Sequence, residues 1–450
     1  MIEFDDFEIA GLSDVGVKRS HNQDSFALMS AGDAEQYKLR GHVFVVADGM
    51  GAHAVGELAS KMAADSIPHI YSKHAQDGPI PALRRAFVEA NQTIHNRGEA
   101  NREFKGMGTT GTALVVRPEG AWVGHVGDSR CYRIRGGVCE QLSFDHSLLW
   151  ELARRQRKKP EEMVGVPSNV IVRSLGPEAV VQVDVEGPHP LLPGDTFVLC
   201  SDGLCGPVHD REIGAVAGAL PPDEACRFLI QLANMHGGPD NITAIVVKLP
   251  GESGPSTDQS APPWTATSSA FAQRMRAIGN RLPWAFVSLV LGIILAGFAI
   301  YLAQGEDTPK LFGWSAEFVV FVIAGVLLVG GLIGLMVQNL REAAPAATDP
   351  APRVAPIYRK IPCAIDEALV DRLDEAMATL NQKVTDGHLE FDHASYEQHR
   401  ERAKQARSSK DWLDGFRESC RAMLILMEVA QKSRGKEESF RPSWDKKPKS

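Results

Sequence analysis

Apolar positions along this chain follow three different patterns, and each marks a different kind of segment. In the first half, short apolar runs at 42–47, 111–116, 121–126, 196–200 and 243–249 read as strands, and they alternate with helical stretches such as 80–97. The pattern predicts a mixed α and β domain over residues 1–249. Two unbroken apolar stretches, 284–303 and 318–337, then appear without a single charged side chain. Each matches the length a helix needs to cross a hydrocarbon core of roughly 30 Å, so both are expected to be transmembrane helices. The third pattern recurs at steps of three or four residues, through Ile365, Leu369, Leu373, Met377, Leu380 and Val384, and again through Trp412, Phe416, Cys420, Met423, Leu424 and Met427. Those are faces of amphipathic helices. With a further helix starting near Asp392, they predict a small α-helical module over 357–435.

Segments of other composition separate these parts. Gly, Ser, Pro and Thr fill the beginning of 250–283, a flexible linker and juxtamembrane segment, and Ala and Pro fill the linker 343–356. The charged end, 436–450, carries Pro442 and Pro448 and is expected to be disordered. Arg274, Arg276 and Arg281 precede the first apolar stretch and Arg341 follows the second, whereas Lys310 is the only basic residue of the connection. The positive-inside rule therefore places both flanks in the cytoplasm. The expectation is a multi-pass protein of the plasma membrane, with its catalytic domain and its C-terminal module cytoplasmic.

Charge and cysteine content exclude several alternatives. The net charge is -8 and no long basic run occurs, which argues against nucleic acid as a partner. The seven cysteines form no Cys-x-x-Cys pair, so neither structural zinc nor a disulfide framework is expected. The N-terminus is acidic, unlike a secretory signal. His388, His393 and His399 have no metal-site spacing and read as solvated.

Candidate chemistry gathers in the first 249 residues, where acidic residues stand beside glycines at the ends of apolar runs. Asp48 lies in Val45-Val46-Ala47-Asp48-Gly49-Met50-Gly51, Asp202 in Ser201-Asp202-Gly203, and Asp240 in Gly238-Pro239-Asp240-Asn241. A strand end holds its side chain rigidly, and a glycine lets backbone carbonyl oxygen approach a cation. Carboxylate, carbonyl and water oxygen are what Mg²⁺ and Mn²⁺ prefer. A single Asp-Gly would read as a turn, so the weight lies on the combination.

These segments, with Arg19-Ser20-His21-Asn22-Gln23-Asp24, Gly106-Met107-Gly108-Thr109-Thr110, Gly127-Asp128-Ser129-Arg130, Asp145-His146 and Asp240-Asn241-Ile242-Thr243, resemble the bacterial form of the protein phosphatase 2C family over roughly residues 8 to 249. The resemblance implies an α+β fold, a four-layer α-β-β-α sandwich of antiparallel sheets, here followed by the two-helix transmembrane hairpin and the helical module. It implies a metal-dependent serine/threonine phosphatase acting on phosphorylated proteins, partnered by a cognate kinase or that kinase's substrates, and working without a phosphoenzyme. Two Mn²⁺ or Mg²⁺ ions are implied: Asp48 bridges them, Asp202 and Asp240 complete the first, and the Gly49 carbonyl helps hold the second. Asp145 matches a position that helps Asp202 bind a weaker third ion, the alternative being a turn or helix cap before Ser147. Asp24 looks like the residue that binds metal-bound water, and Arg19 like the one that grips substrate phosphate. One carboxylate can span metals roughly 4 Å apart, the metals acidify water, and Arg offers phosphate a fixed fork of donors.

Asp128 and Arg130 read as a structural buried pair. Gln23 stands where the family often has Glu, and Met50 where some relatives have a His proposed as general acid; His53 is the nearby candidate for that role, with water as the alternative. Residues 147–172 correspond to the family's flap and are basic, with Arg154, Arg155, Arg157, Lys158 and Lys159. A rival reading keeps the fold as a catalytically inactive membrane receptor or scaffold.

Overall fold

The computed structural model of the chain describes residues 6–51, 54–167, 169–251 and 356–437, with scattered residues between 310 and 327. The expected span 284–303 and most of 318–337 lie outside these residues, as do the linkers around them. Among the described residues no helix is long and apolar enough to cross a membrane.

Alternation within single strands builds the fold. In β3 (His42–Met50), Val43, Val45 and Ala47 face a helical layer while Phe44 and Val46 face a second sheet, and β5 (Gly111–Arg117) splits Ala113 and Val115 from Leu114 and Val116 in the same way. A strand buried on both faces reads as a continuous β-branched run, which is what these segments are. The first sheet runs β2-β3-β5-β6-β9, from β2 (Asp24–Met29) through β6 (Gly120–Val126) to β9 (Asp184–His189), with the short β4 (Gly108–Thr109) paired to β3. Helices α2 (Ala54–Lys73) and α3 (Pro79–Ala100) cover its outer face; α1 (Ala34–Leu39) precedes β3. The second sheet runs β1 (Glu8–Asp14), β11 (Ile242–Lys248), β10 (Thr196–Cys200), β7 (Arg130–Arg135), β8 (Val138–Gln141) and β14 (Arg359–Pro362). Its outer face carries α6 (Asp210–Ala219) and α7 (Pro222–Met235). Every pairing is antiparallel. Phe44, Leu114, Phe197, Leu199, Ile245 and Val247 fill the space between the sheets. This is the expected α-β-β-α sandwich.

The C-terminal residues are built into that sandwich. β14 adds to β8 with Arg359 opposite Gln141 and Pro362 opposite Val138. Beyond it come α8 (Glu367–Asp386), capped by Asp366, then α9 (His393–Ser408), capped by Asp392, and α10 (Trp412–Glu437). Leu369, Met377, Phe416, Cys420 and Met423 share one buried cluster with Val216, Phe228 and Leu232 of α6 and α7. Arg421 pairs with Glu224 at 2.8 Å and Arg417 donates to the Ala219 carbonyl at 2.8 Å. The described residues up to 251 and from 356 to 437 accordingly form one compact unit. Lys436 and Glu437, expected in the tail, continue α10. His399 is not solvated as expected: its Nδ1 meets buried Glu418 at 2.7 Å. In the other unit, β12 (Lys310–Leu311) and β13 (Trp314–Ser315) make a short antiparallel ladder.

Candidate active site

Four strand ends converge at one end of the sandwich. Asp24 opens β2 directly across from Asp48 in β3, and α5 (Asp202–Cys205) begins where β10 stops, beside the start of β11 that follows Asp240 and Asn241. Two glycines make this approach possible. A Cβ on Gly203 would stand 1.9 Å from the Asn241 carbonyl oxygen, and one on Gly49 would stand 2.1 Å from that of Gly56. Asp48, Gly49, Asp202 and Asp240 thus lie at the same end of the sandwich as Asp24, close enough for the carboxylates to repel one another.

Asp24 is held by a chain of donors. The Ser201 and Thr243 hydroxyls both donate to its Oδ2 at 2.7 Å, the Ser13 hydroxyl lies 2.7 Å from Thr243 Oγ1, and Asn22 donates to Ser13 at 2.8 Å. Oδ1 of Asp24 is buried without a hydrogen-bond partner, as are Oδ1 of Asp202 and of Asp128. Burial raises the Asp24 carboxyl to about 7 against the pull of Thr243 and Ser201, with Asp202 and Asp240 adding repulsion. Burial, then Asp24, Asp202 and Asp128, push Asp48 well above the usual range, and burial and Asp240 push Asp202 up. Buried acceptors left unsatisfied and carboxylates that repel one another are what a divalent cation would relieve. The oxygen donors present therefore fit Mn²⁺ or Mg²⁺.

Among the described residues no three acidic, histidine or cysteine side chains close on one point as a finished coordination sphere. A competing cation explains this at Asp240, whose Oδ2 is held by Arg19 at 2.7 Å. The Arg19 side chain is 48% exposed, at the mouth of the site. Its loop is fixed by Asn241, whose amide donates to the carbonyls of Val15 and His21 at 2.9 Å and accepts from the Gln23 backbone at 2.8 Å. The Gln23 side chain donates to the Gly51 carbonyl at 3.3 Å. Met50 pairs with Gly108, and His53 lies outside the described residues.

Asp145 is not a helix cap: Ser147 caps α4 (Leu148–Gln156). Asp145 instead sits in the fork of Arg130 at 2.8 Å and accepts from Gln141 at 2.7 Å. The expected Asp128–Arg130 pair gives way to Arg130 with Asp145 and Asp210, the latter at 3.4 Å. Asp128 is pushed to about 8 by burial, then by Asp202 and Asp145. Asp128, Asp145 and Asp202 line one cavity of about 120 Å³ with Ser147, Trp150 and Asn169. Ser201, Thr243 and Asn241 were all inside the quoted motifs, yet only their hydrogen bonds reveal what they hold.

Comparison with known proteins agrees. The family model described as Protein phosphatase 2C matches residues 17–236. Protein phosphatase PhpP of Streptococcus pneumoniae is 35% identical over 54% of this chain and 97% of its own length. Serine/threonine phosphatase stp of Listeria monocytogenes is 33% identical over 52% and 93%. The solved catalytic domain of the serine/threonine phosphatase PstP, in complex with two manganese ions, is 32% identical over 54% of this chain and 98% of its own, at a TM-score of 0.46. With a relative this similar matched over nearly its whole length, and with the family's motifs converging at one site, the chain belongs to the protein phosphatase 2C family.

Proposed function

We infer that the chain is a metal-dependent serine/threonine protein phosphatase that hydrolyses phosphate esters by direct attack of activated water, without a phosphoenzyme. The observation that carries this reading is Asp24 with its neighbours: a carboxylate fixed through Oδ2, its Oδ1 unpartnered, inside a ring of mutually repelling carboxylates. Two Mn²⁺ or Mg²⁺ ions held by Asp48, Asp202, Asp240 and the Gly49 carbonyl would acidify water and offset phosphate charge. Asp145, which lines the same cavity as Asp202, offers a position for a weaker third ion once Arg130 yields. In this reading the unpartnered Oδ1 of Asp24 would hold and orient the attacking water. Arg19, exchanging Asp240 for substrate, presents its fork to phosphate oxygens. Proton return to the leaving oxygen would fall to His53 or to water. Relatives carrying the names protein phosphatase and serine/threonine phosphatase support the phosphoprotein substrate, with a cognate kinase or its substrates as partners.

The full chain should release phosphate from a phosphothreonine peptide in Mn²⁺, and Asp48→Asn should not. Turnover no greater than that control would sink the enzyme reading in favour of an inactive receptor or scaffold.

We also propose a plasma-membrane location, a hairpin of helices 284–303 and 318–337 with both flanks cytoplasmic. Uncharged apolar runs of spanning length support it, with arginines on the outer flanks. A reporter fused after Thr308 should be accessible outside the cell; a cytoplasmic signal would refute the hairpin.

A further inference from the structure

β14 reaches the phosphatase from the far side of the linker, and its first residue touches more than the sheet. Arg359 meets Asp210 at 3.0 Å and also pairs with Glu161 in the turn Pro160–Glu162 that follows α4. Its guanidinium carbon lies 5.7 Å from the Trp150 ring centroid, and that of Arg130 lies 5.9 Å from the same ring. Beside it, Tyr358 donates to Glu186 at 2.9 Å and packs edge-on to Phe144 at 5.5 Å, which packs edge-on to Trp150 at 5.3 Å. Trp150 is 6% exposed. It is therefore one plate with two functions: it lines the cavity of Asp128, Asp145 and Asp202, and a neighbouring cavity of about 340 Å³ lined by Arg359 and Glu161.

We propose that Arg359 is a positioning residue for the phosphatase reaction, through which the C-terminal segment clamps residues 148–163, the first part of the flap, against the carboxylate site and so sets its affinity for protein substrates. The proposal rests on the phosphatase reading for its kinetic consequence, but the clamp itself is a statement about structure. Arg359 makes two ion pairs, to Glu161 and Asp210, and a cation–π contact to Trp150, and among the described residues it is the only one of β14 with an ion pair to the flap. Lys360, next along the strand, pairs instead with Glu140 of β8 at 3.0 Å and is 63% exposed, so it shares the sheet without sharing the flap. Trp150 and Asn169 of the flap line the cavity beside Asp202, so in this proposal a protein substrate reaches the flap and a small phosphate ester need not.

The test uses the full chain in four forms besides wild type: Arg359→Ala, Arg359→Lys, Glu161→Gln and the control Lys360→Ala. Arg359→Ala should raise KM for a phosphothreonine peptide about fivefold, the scale of one partly exposed ion pair with its stacking, and leave kcat little changed. Glu161→Gln, exposed and harmless to the sheet, should move KM the same way by less, and Arg359→Lys should recover part of the loss. KM for p-nitrophenyl phosphate should stay at the wild-type value in every variant. Amide exchange across 148–163 should quicken in Arg359→Ala and not in Lys360→Ala. The proposal is overturned if exchange in the flap is unchanged, if Lys360→Ala reproduces the effect, or if both substrates lose rate equally. Should the wild type release no phosphate from either substrate, the phosphatase reading fails instead, and flap exchange still decides the clamp.

Discussion

Replacing Thr243 separates hydrogen bonding from packing at the centre of the site. Thr243 is fully buried and its hydroxyl donates to Asp24 Oδ2 at 2.7 Å while Ser13 Oγ lies 2.7 Å away. Valine keeps the volume and removes the hydroxyl; serine keeps the hydroxyl and removes a methyl. A hydrogen bond to a buried charged group contributes about 1.5–3 kcal/mol. Asp24 would retain Ser201, and Ser13 would retain Asn22, so a loss of about 2 kcal/mol is expected for Thr243→Val. Thr243→Ser loses one buried methyl, about 1 kcal/mol. The volume-conserving variant should therefore be the less stable one, opposite to the order that packing alone would set. Urea midpoints at pH 8 in the presence of a chelator measure this. With Mn²⁺ restored, kcat should fall about tenfold in the valine variant, a loss of ~1.4 kcal/mol in transition-state stabilisation, and stay near wild type in serine. A valine variant as stable and active as the serine variant would refute the donor chain as the element that holds Asp24.

Gly203→Ala should cost more than ordinary overpacking of about 1–3 kcal/mol, because its Cβ would stand 1.9 Å from a backbone oxygen, and should shift the Mn²⁺ activation curve to higher concentration. Arg130→Met leaves Asp145 and Asp210 buried without that cation and should lower stability by about 3–5 kcal/mol; a loss under 1 kcal/mol in chemical unfolding would contradict the assigned pairs. His125 and His189 are lowered to about 3 and about 4, first by burial, then by His146 and by Arg133 respectively. Folded values below the unfolded value near 6.5 mean the unfolded chain binds more protons, so this stability is present above pH 6.5 and is lost as pH falls. At pH 5 each contributes a loss of about 2 kcal/mol, and His125→Asn and His189→Asn should each flatten the dependence of the unfolding midpoint between pH 7.5 and 5 by that amount.

Asp48 and Asp202 were legible because each stands before a glycine where an apolar run ends, and Asp240 because it stands two residues after Gly238 and just before another such run; these features are local. The strands were legible for the same reason: burial on both faces writes a β-branched run into consecutive positions, as in Val43 to Val46. Ser201 and Thr243 were visible as letters of the motifs, but their shared target is not, because Ser201 and Thr243 reach Asp24 across 177 and 219 residues of chain. Arg130 shows the limit most directly. Asp128 is its near neighbour in sequence, yet the guanidinium goes to Asp145 and Asp210, since a buried cation pairs with whichever carboxylates the fold brings to its fork.

By itself the sequence determined the two-faced strands, the amphipathic C-terminal helices and the candidate carboxylates of the site, each of which is a property of residues a few positions apart. Tertiary structure alone decided which oxygen of Asp24 is satisfied and which is left without a partner, and that β14 closes the edge at β8. Backbone donors and acceptors along a sheet edge are the same for every residue, so nothing in Arg359–Pro362 announces its partner. Only the assembled edge, with Trp150 and Glu161 waiting beside it, gives that short segment its place.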